Sequence, residues 1–139
     1  MSTKIRPEIS KKNKYWINKH RHYELKHFCL QYPVWKQMYS ALTDPHTSLS
    51  SIERIPSNNL PGDPTARRAV MKAYYSERIK LIEKAASDAD KYLCDYILQG
   101  VTEERSYIYL KTKLDIPCGK DMYYDRYRKF FWLLDRMRG

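Results

Sequence analysis

Residues 113–134 read KLDIPCGKDMYYDRYRKFFWLL, and the break inside this stretch decides how the C-terminal part of the chain folds. Asp115 to Gly119 join an acid, a proline and a glycine, which is turn chemistry. Beyond it Tyr123, Tyr127, Phe130, Leu134 and Met137 recur at alternating spacings of four and three. That period predicts an amphipathic helix from about Lys120 to Met137. Before the turn, Tyr107, Leu110 and Leu114 form the apolar side of a short helix. Thr102 is expected to open that helix, with Glu103 and Glu104 at its positive end.

Helix, tight turn and helix is the layout in which a second helix enters the major groove of DNA while the first braces it. With Tyr127 at the centre of the packed face, Asp125, Lys129 and Arg136 point the opposite way, and Asp121, Arg126, Arg128 and Trp132 flank them. Lys111, Lys113, Lys120 and Tyr124 cluster near the start of the second helix. The candidate nucleic-acid contacts are therefore Lys111, Lys113, Lys120, Tyr124, Arg126, Arg128 and Lys129, the cations neutralising phosphate. Asp121 and Asp125 sit where DNA would lie and repel it. The competing reading is an ordinary solvated helix face.

Upstream, Thr65–Gln99 reads as one long helix opened by Asp63 and Pro64. Its stripe is Met71, Tyr75, Ile79, Ile82, Ala86, Ala89, Leu93 and Tyr96. Ser87 is a candidate break and Gly100 the expected stop. The stripe must be covered by other helices or by a second copy of the chain, so a homodimer is a candidate assembly. Residues 44–64, rich in Pro, Ser and Asn, read as a loop or linker. Before them, two short helices are expected within residues 15–43, meeting at Pro33. Tyr23, His27 or Phe28, and Leu30 form the apolar side of the first; Val34, Met38, Ala41 and Leu42 form that of the second, with Trp35 and Tyr39 beside it. Residues 1–14 read as a basic flexible arm. The whole is all-α: a basic arm, an N-terminal helical pair, a linker, and a helical domain over 65–139 with a helix-turn-helix-like end.

The chain has 139 residues and a net charge of +10. Such a balance favours anionic partners. Residues 1–43 hold nine Lys/Arg against two acids, so the N-terminal region is the most basic. No apolar run approaches a membrane span, and the basic N-terminus lacks the apolar core of a secretory signal. Three cysteines, odd in number and far apart, read as reduced thiols in a cytoplasm. His20, His22, His27 and Cys29 carry metal-ligand chemistry, but helical spacing scatters them, so no metal is expected. Phosphate-loop, zinc-protease and nucleophile-elbow motifs are absent from the sequence, so the expectation is a non-enzyme without a cofactor. Lys19, Arg21, Tyr23, Lys26, Trp35 and Lys36, aromatic and basic residues interleaved, form a candidate partner-binding surface.

Several segments carry a family resemblance: DPT at Asp63–Thr65, IKLIEKAA at Ile79–Ala86, YILQGVT at Tyr96–Thr102, and LDIPCGKDMYYDRYRKFFWLL at Leu114–Leu134. Together they resemble the small phage regulators of the ArpU/RinA type. KHRHYELKHFCLQYPVWK at Lys19–Lys36 is similar to the leading segment of related small phage proteins of Gram-positive hosts. The resemblance implies a domain like sigma-factor region 4, duplex DNA as partner, late-gene transcription as the process and the bacterial host cytoplasm as the location. Pro117, Cys118 and Gly119 stand where that pattern usually carries Ser/Thr and Arg. A phage origin also admits a rival role: an inhibitor that binds and blocks a host nucleic-acid-handling protein, such as an anti-CRISPR acting on a guide-bearing nuclease.

Overall fold

The computed structural model describes residues 11–46 and 61–139, and within them the chain is all-helical. The elements are α1 (Lys19–Leu30), α2 (Tyr32–Thr43), α3 (Pro64–Ala89), α4 (Cys94–Thr102), α5 (Tyr107–Leu114) and α6 (Lys120–Arg138). Most of the expected linker and most of the expected arm lie outside the described residues.

The helices group into two compact units. Described residues up to Gln31 belong with Leu81–Gly139, and those of Tyr32–Lys80 form the other unit. The boundary therefore runs between α1 and α2 and through α3. It does not follow the expected partition into an N-terminal pair and a 65–139 domain.

In the larger unit α6 is the central helix, contacting α1 and α4, while α4 also meets α1 and α5. Tyr123, Tyr127, Phe130 and Leu134 are buried as their spacing predicts, joined by Tyr124 and Phe131. Their rings pack edge to face along α6, with Tyr127 5.0 Å from Phe131 and Phe131 5.0 Å from Phe130. From α1, the His22 ring meets Phe131 edge to face, 4.8 Å between centroids. Arg21 Nε donates to Asp135 Oδ1 at 2.6 Å, and the Arg138 guanidinium lies 4.0 Å over the Phe28 ring. The buried side of α1 is His22, Leu25, Phe28 and Cys29, so the register anticipated through Tyr23 and His27 is corrected: both are exposed. A weak apolar pattern allowed the error, and contact with α6 selects the actual face.

In the smaller unit α2 buries Tyr32, Trp35, Met38 and Leu42. Val34, expected on that face, is exposed. The first part of α3 buries Met71, Tyr75 and Ile79. Arg68 Nη1 donates to the carbonyl of Leu42 at 2.8 Å, satisfying an end group of α2.

The long helical reading of 65–99 is interrupted at Asp90, beyond the anticipated Ser87. The Asp90 carboxylate accepts from the backbone N–H groups of Tyr92 at 2.8 Å and Leu93 at 2.9 Å. This local alternative to helical bonding ends α3 and forms the turn that leads into α4. Gly100 does not stop a helix either. It lies buried inside α4, where an added Cβ would collide with the Tyr123 hydroxyl. Thr102 ends α4, its hydroxyl donating to the Leu98 carbonyl at 2.6 Å, and Ser106 caps α5 by accepting from Tyr109 N at 3.2 Å. Both corrections belong to one arrangement, in which α4 runs through the glycine and Tyr123 packs against it.

Ile82, Ala86 and Ala89 of the α3 stripe are buried in the larger unit, and Met71, Tyr75 and Ile79 in the smaller. The face on which the homodimer expectation rested is thus covered within the chain.

Candidate nucleic-acid interface

The turn between α5 and α6 is held from several sides. Asp115 closes α5 in the left-handed region, at φ 52°, a conformation its short polar side chain tolerates. The N–H of Ile116 donates to the Leu110 carbonyl at 3.1 Å, and its side chain is fully buried. Tyr107 donates its hydroxyl to the Cys118 carbonyl at 2.7 Å. Lys111 Nζ reaches the Ile116 carbonyl at 3.5 Å. Gly119 then starts α6 with no side-chain cap.

Around this fixed turn Lys111, Lys113 and Lys120 are exposed, together with Asp115 and Asp121. The remaining predicted contacts are placed differently. Tyr124 is only 9% exposed, and its hydroxyl accepts from Tyr107 N at 3.4 Å, so it belongs to the core and is withdrawn as a nucleic-acid contact. Arg126 Nε donates to Asp90 Oδ2 at 3.0 Å, and its Nη1 donates to Asp125. Both carboxylates pair with it, so this arginine ties α6 to the α3–α4 turn and is corrected from a surface cation to a structural one. Arg128 and Lys129 are half-buried, and the buried Nε of Arg128 has no hydrogen-bond partner. A continuous cationic ridge along α6 is therefore interrupted at Arg126, which Asp125 and Asp90 neutralise.

Burial works against ionisation of Asp90, but the N–H groups of Leu93 and Tyr92 and the Arg126 guanidinium outweigh it and hold the carboxyl below its ordinary value. The Arg126–Asp90 pair was invisible in sequence because its members are 36 residues apart. The turn made by Asp90 had a local signal, an acid two and three residues before the groups it bonds.

The other predicted surface is also divided. Lys19 and Tyr23 are exposed, Lys26 is half-buried, and Arg21 is engaged by Asp135 and Glu24. In the smaller unit Trp35 is only 6% exposed and is withdrawn as a partner contact, while Lys36 is exposed with its Nζ 5.5 Å over the Tyr32 ring. Among the described residues no three His, Cys, Asp or Glu side chains come together to hold a metal ion. His22 and Cys29 are buried and His20 and His27 exposed. All three cysteines are free thiols, and burial pushes that of Cys29 far up. No helix among the described residues is long and apolar enough to cross a membrane.

No family model, curated protein or solved structure matches the chain.

Proposed function

We propose that the protein is a duplex-DNA-binding transcriptional regulator that approaches DNA with the α5–α6 turn and the first turn of α6. The observation that carries this reading is the exposure of Lys111, Lys113 and Lys120 around a turn that hydrogen bonds and a buried isoleucine hold in one conformation. A fixed backbone presents the three lysines from set positions, so only their side chains need order on meeting phosphate, and helix-turn-helix modules use this end of the second helix. The net charge of +10 and the ArpU/RinA resemblance support the same class of partner. Asp115 and Asp121 oppose phosphate at this end, so the turn by itself supplies modest affinity.

The test is binding of a labelled mixed-sequence duplex followed across a salt series. Affinity is expected to fall steeply with salt. Replacement of Lys111, Lys113 and Lys120 by alanine is expected to flatten that slope by roughly 0.9 for each phosphate no longer neutralised. Salt-insensitive or undetectable duplex binding would sink the reading. The rival, a host-protein inhibitor, draws on Tyr92, Ile108 and Met122, which are exposed at 86%, 66% and 46% and offer apolar anchors to a protein. Recovery of a stoichiometric host protein from nuclease-treated lysate, without duplex binding, would favour it.

A further inference from the structure

Residues 11–17, KKNKYWI, contain three lysines and no acid. The first four residues of this stretch end the sequence expected to be a flexible arm, and its last three are anchored. Ile17 is buried, and the Tyr15 ring meets the Trp132 ring of α6 edge to face, 5.7 Å between centroids. On the same indole the Arg136 guanidinium lies 3.8 Å from the ring centroid. A guanidinium seated over an indole face is held by cation–π attraction while its N–H groups remain able to donate to a phosphate oxygen.

Lys129, Trp132 and Arg136 stand at helical positions i, i+3 and i+7, so they form one row along α6, with Arg128 one turn before Trp132. Lys11, Lys14 and Arg136 are exposed, and none of Lys11, Lys14, Arg128, Lys129 and Arg136 makes an ion pair among the described residues. The one acid in this part of α6, Asp135, is turned to Arg21. Cations are thus gathered here without the carboxylates that cancel them in the first half of the helix.

We infer that residues 11–17 and the outward row of the second half of α6 form a phosphate-binding surface for a nucleic-acid backbone, with Lys11, Lys14, Lys129 and Arg136 as contacts and Trp132 as a positioning residue. This rests on the reading that the partner is nucleic acid, and it adds a surface to that reading. A row running about 10 Å from Lys129 to Arg136 suits a polyanion better than a single phosphate. The row carries no exposed apolar side chain to enter a lipid layer, since Trp132 is covered by Tyr15 and Arg136.

The experiment uses the full chain, a labelled mixed-sequence duplex and a salt series, with thermal midpoints checked by circular dichroism. The triple change Lys11→Ala, Lys14→Ala and Arg136→Ala is expected to weaken binding at least about tenfold at low salt, and to reduce the salt slope by roughly 2 to 3 with the midpoint unmoved. Arg136→Lys should keep the slope, because the charge remains. Trp132→Ala should weaken binding at low salt, and Trp132→Phe, which keeps an aromatic face under Arg136, should restore most of it. If the triple variant binds like the parent while loss of Lys111, Lys113 and Lys120 lowers the slope, this surface is overturned and the proposed function stands. If the reverse holds, the surface stands and the α5–α6 turn loses its role. Absence of duplex binding by the parent, or triple-sensitive binding only to vesicles of anionic phospholipid, would overturn both.

Discussion

In the first half of α6, Arg126 is shared between Asp90 and Asp125, and Tyr123 and Tyr124 are core residues. In the second half, Arg136 lies on Trp132 with no carboxylate partner among the described residues, and Lys129 stands on the same row. One helix thus spends similar side chains in two ways. Where a basic residue faces a neighbouring turn that carries an acid, it becomes a structural tie. Where it faces outward beside an acid-free segment, its charge remains available. Net charge counts both kinds alike, so the location of unpaired cations says more about a polyanion surface than their number.

The sharpest break of this contrast acts on the core beneath the first half. Gly100→Ala gains helix propensity, worth about 1 kcal/mol, but drives a methyl into the Tyr123 hydroxyl, whose ring is almost wholly buried. The clash wins, and a net loss of about 2 kcal/mol is expected in denaturant unfolding. The Tyr123 hydroxyl is buried without a hydrogen-bond partner, so Tyr123→Phe removes the obstacle at little cost. The double variant Gly100→Ala with Tyr123→Phe should return to parental stability or exceed it; failure to do so would show that the hydroxyl is not the obstacle.

Asp90→Ala comes next. It removes two backbone bonds and leaves Arg126 with Asp125 alone, for an expected loss of about 1 to 2 kcal/mol. Because its folded pKa lies below the unfolded value near 4, the stability Asp90 contributes is full above that pH and disappears as pH falls through the folded value. Thermal midpoints of the parent should therefore drop on acidification below about pH 4, and Asp90→Asn should show a smaller drop.

A paired experiment then separates the two halves directly. Arg126→Ala should cost about 1 kcal/mol of stability and leave duplex binding nearly unchanged. Arg136→Ala should leave the thermal midpoint nearly unchanged and weaken duplex binding several-fold. Equal behaviour of the two variants would dissolve the distinction. The smallest effect is expected from Asp115→Gly, which relieves a left-handed residue and should stabilise by roughly 0.5 kcal/mol in the same unfolding assay.

Much of the fold was legible along the chain. The stripe through Met71, Tyr75, Ile79, Ile82, Ala86 and Ala89 and the row Tyr123, Tyr127, Phe130 and Leu134 are buried as their spacing required. The turn from Asp115 to Gly119 stands where its residues placed it. These are local properties: a 3.6-residue period and the backbone habits of proline and glycine act on neighbours in sequence. The face of α1 was less legible, because its apolar residues do not sort onto one side and α6 chooses among them.

The candidate sites depended on distance in space. Arg126 and Asp90 are separated by 36 residues and Arg21 and Asp135 by 114, yet the members of each pair are hydrogen-bonded. Residue order alone specified an all-helical chain, the greasy sides of α3 and α6 and an excess of positive charge. Which cations are neutralised, and which remain open to a partner, was decided by tertiary packing, because ion pairing depends on the few ångströms between side chains and not on the number of residues between them.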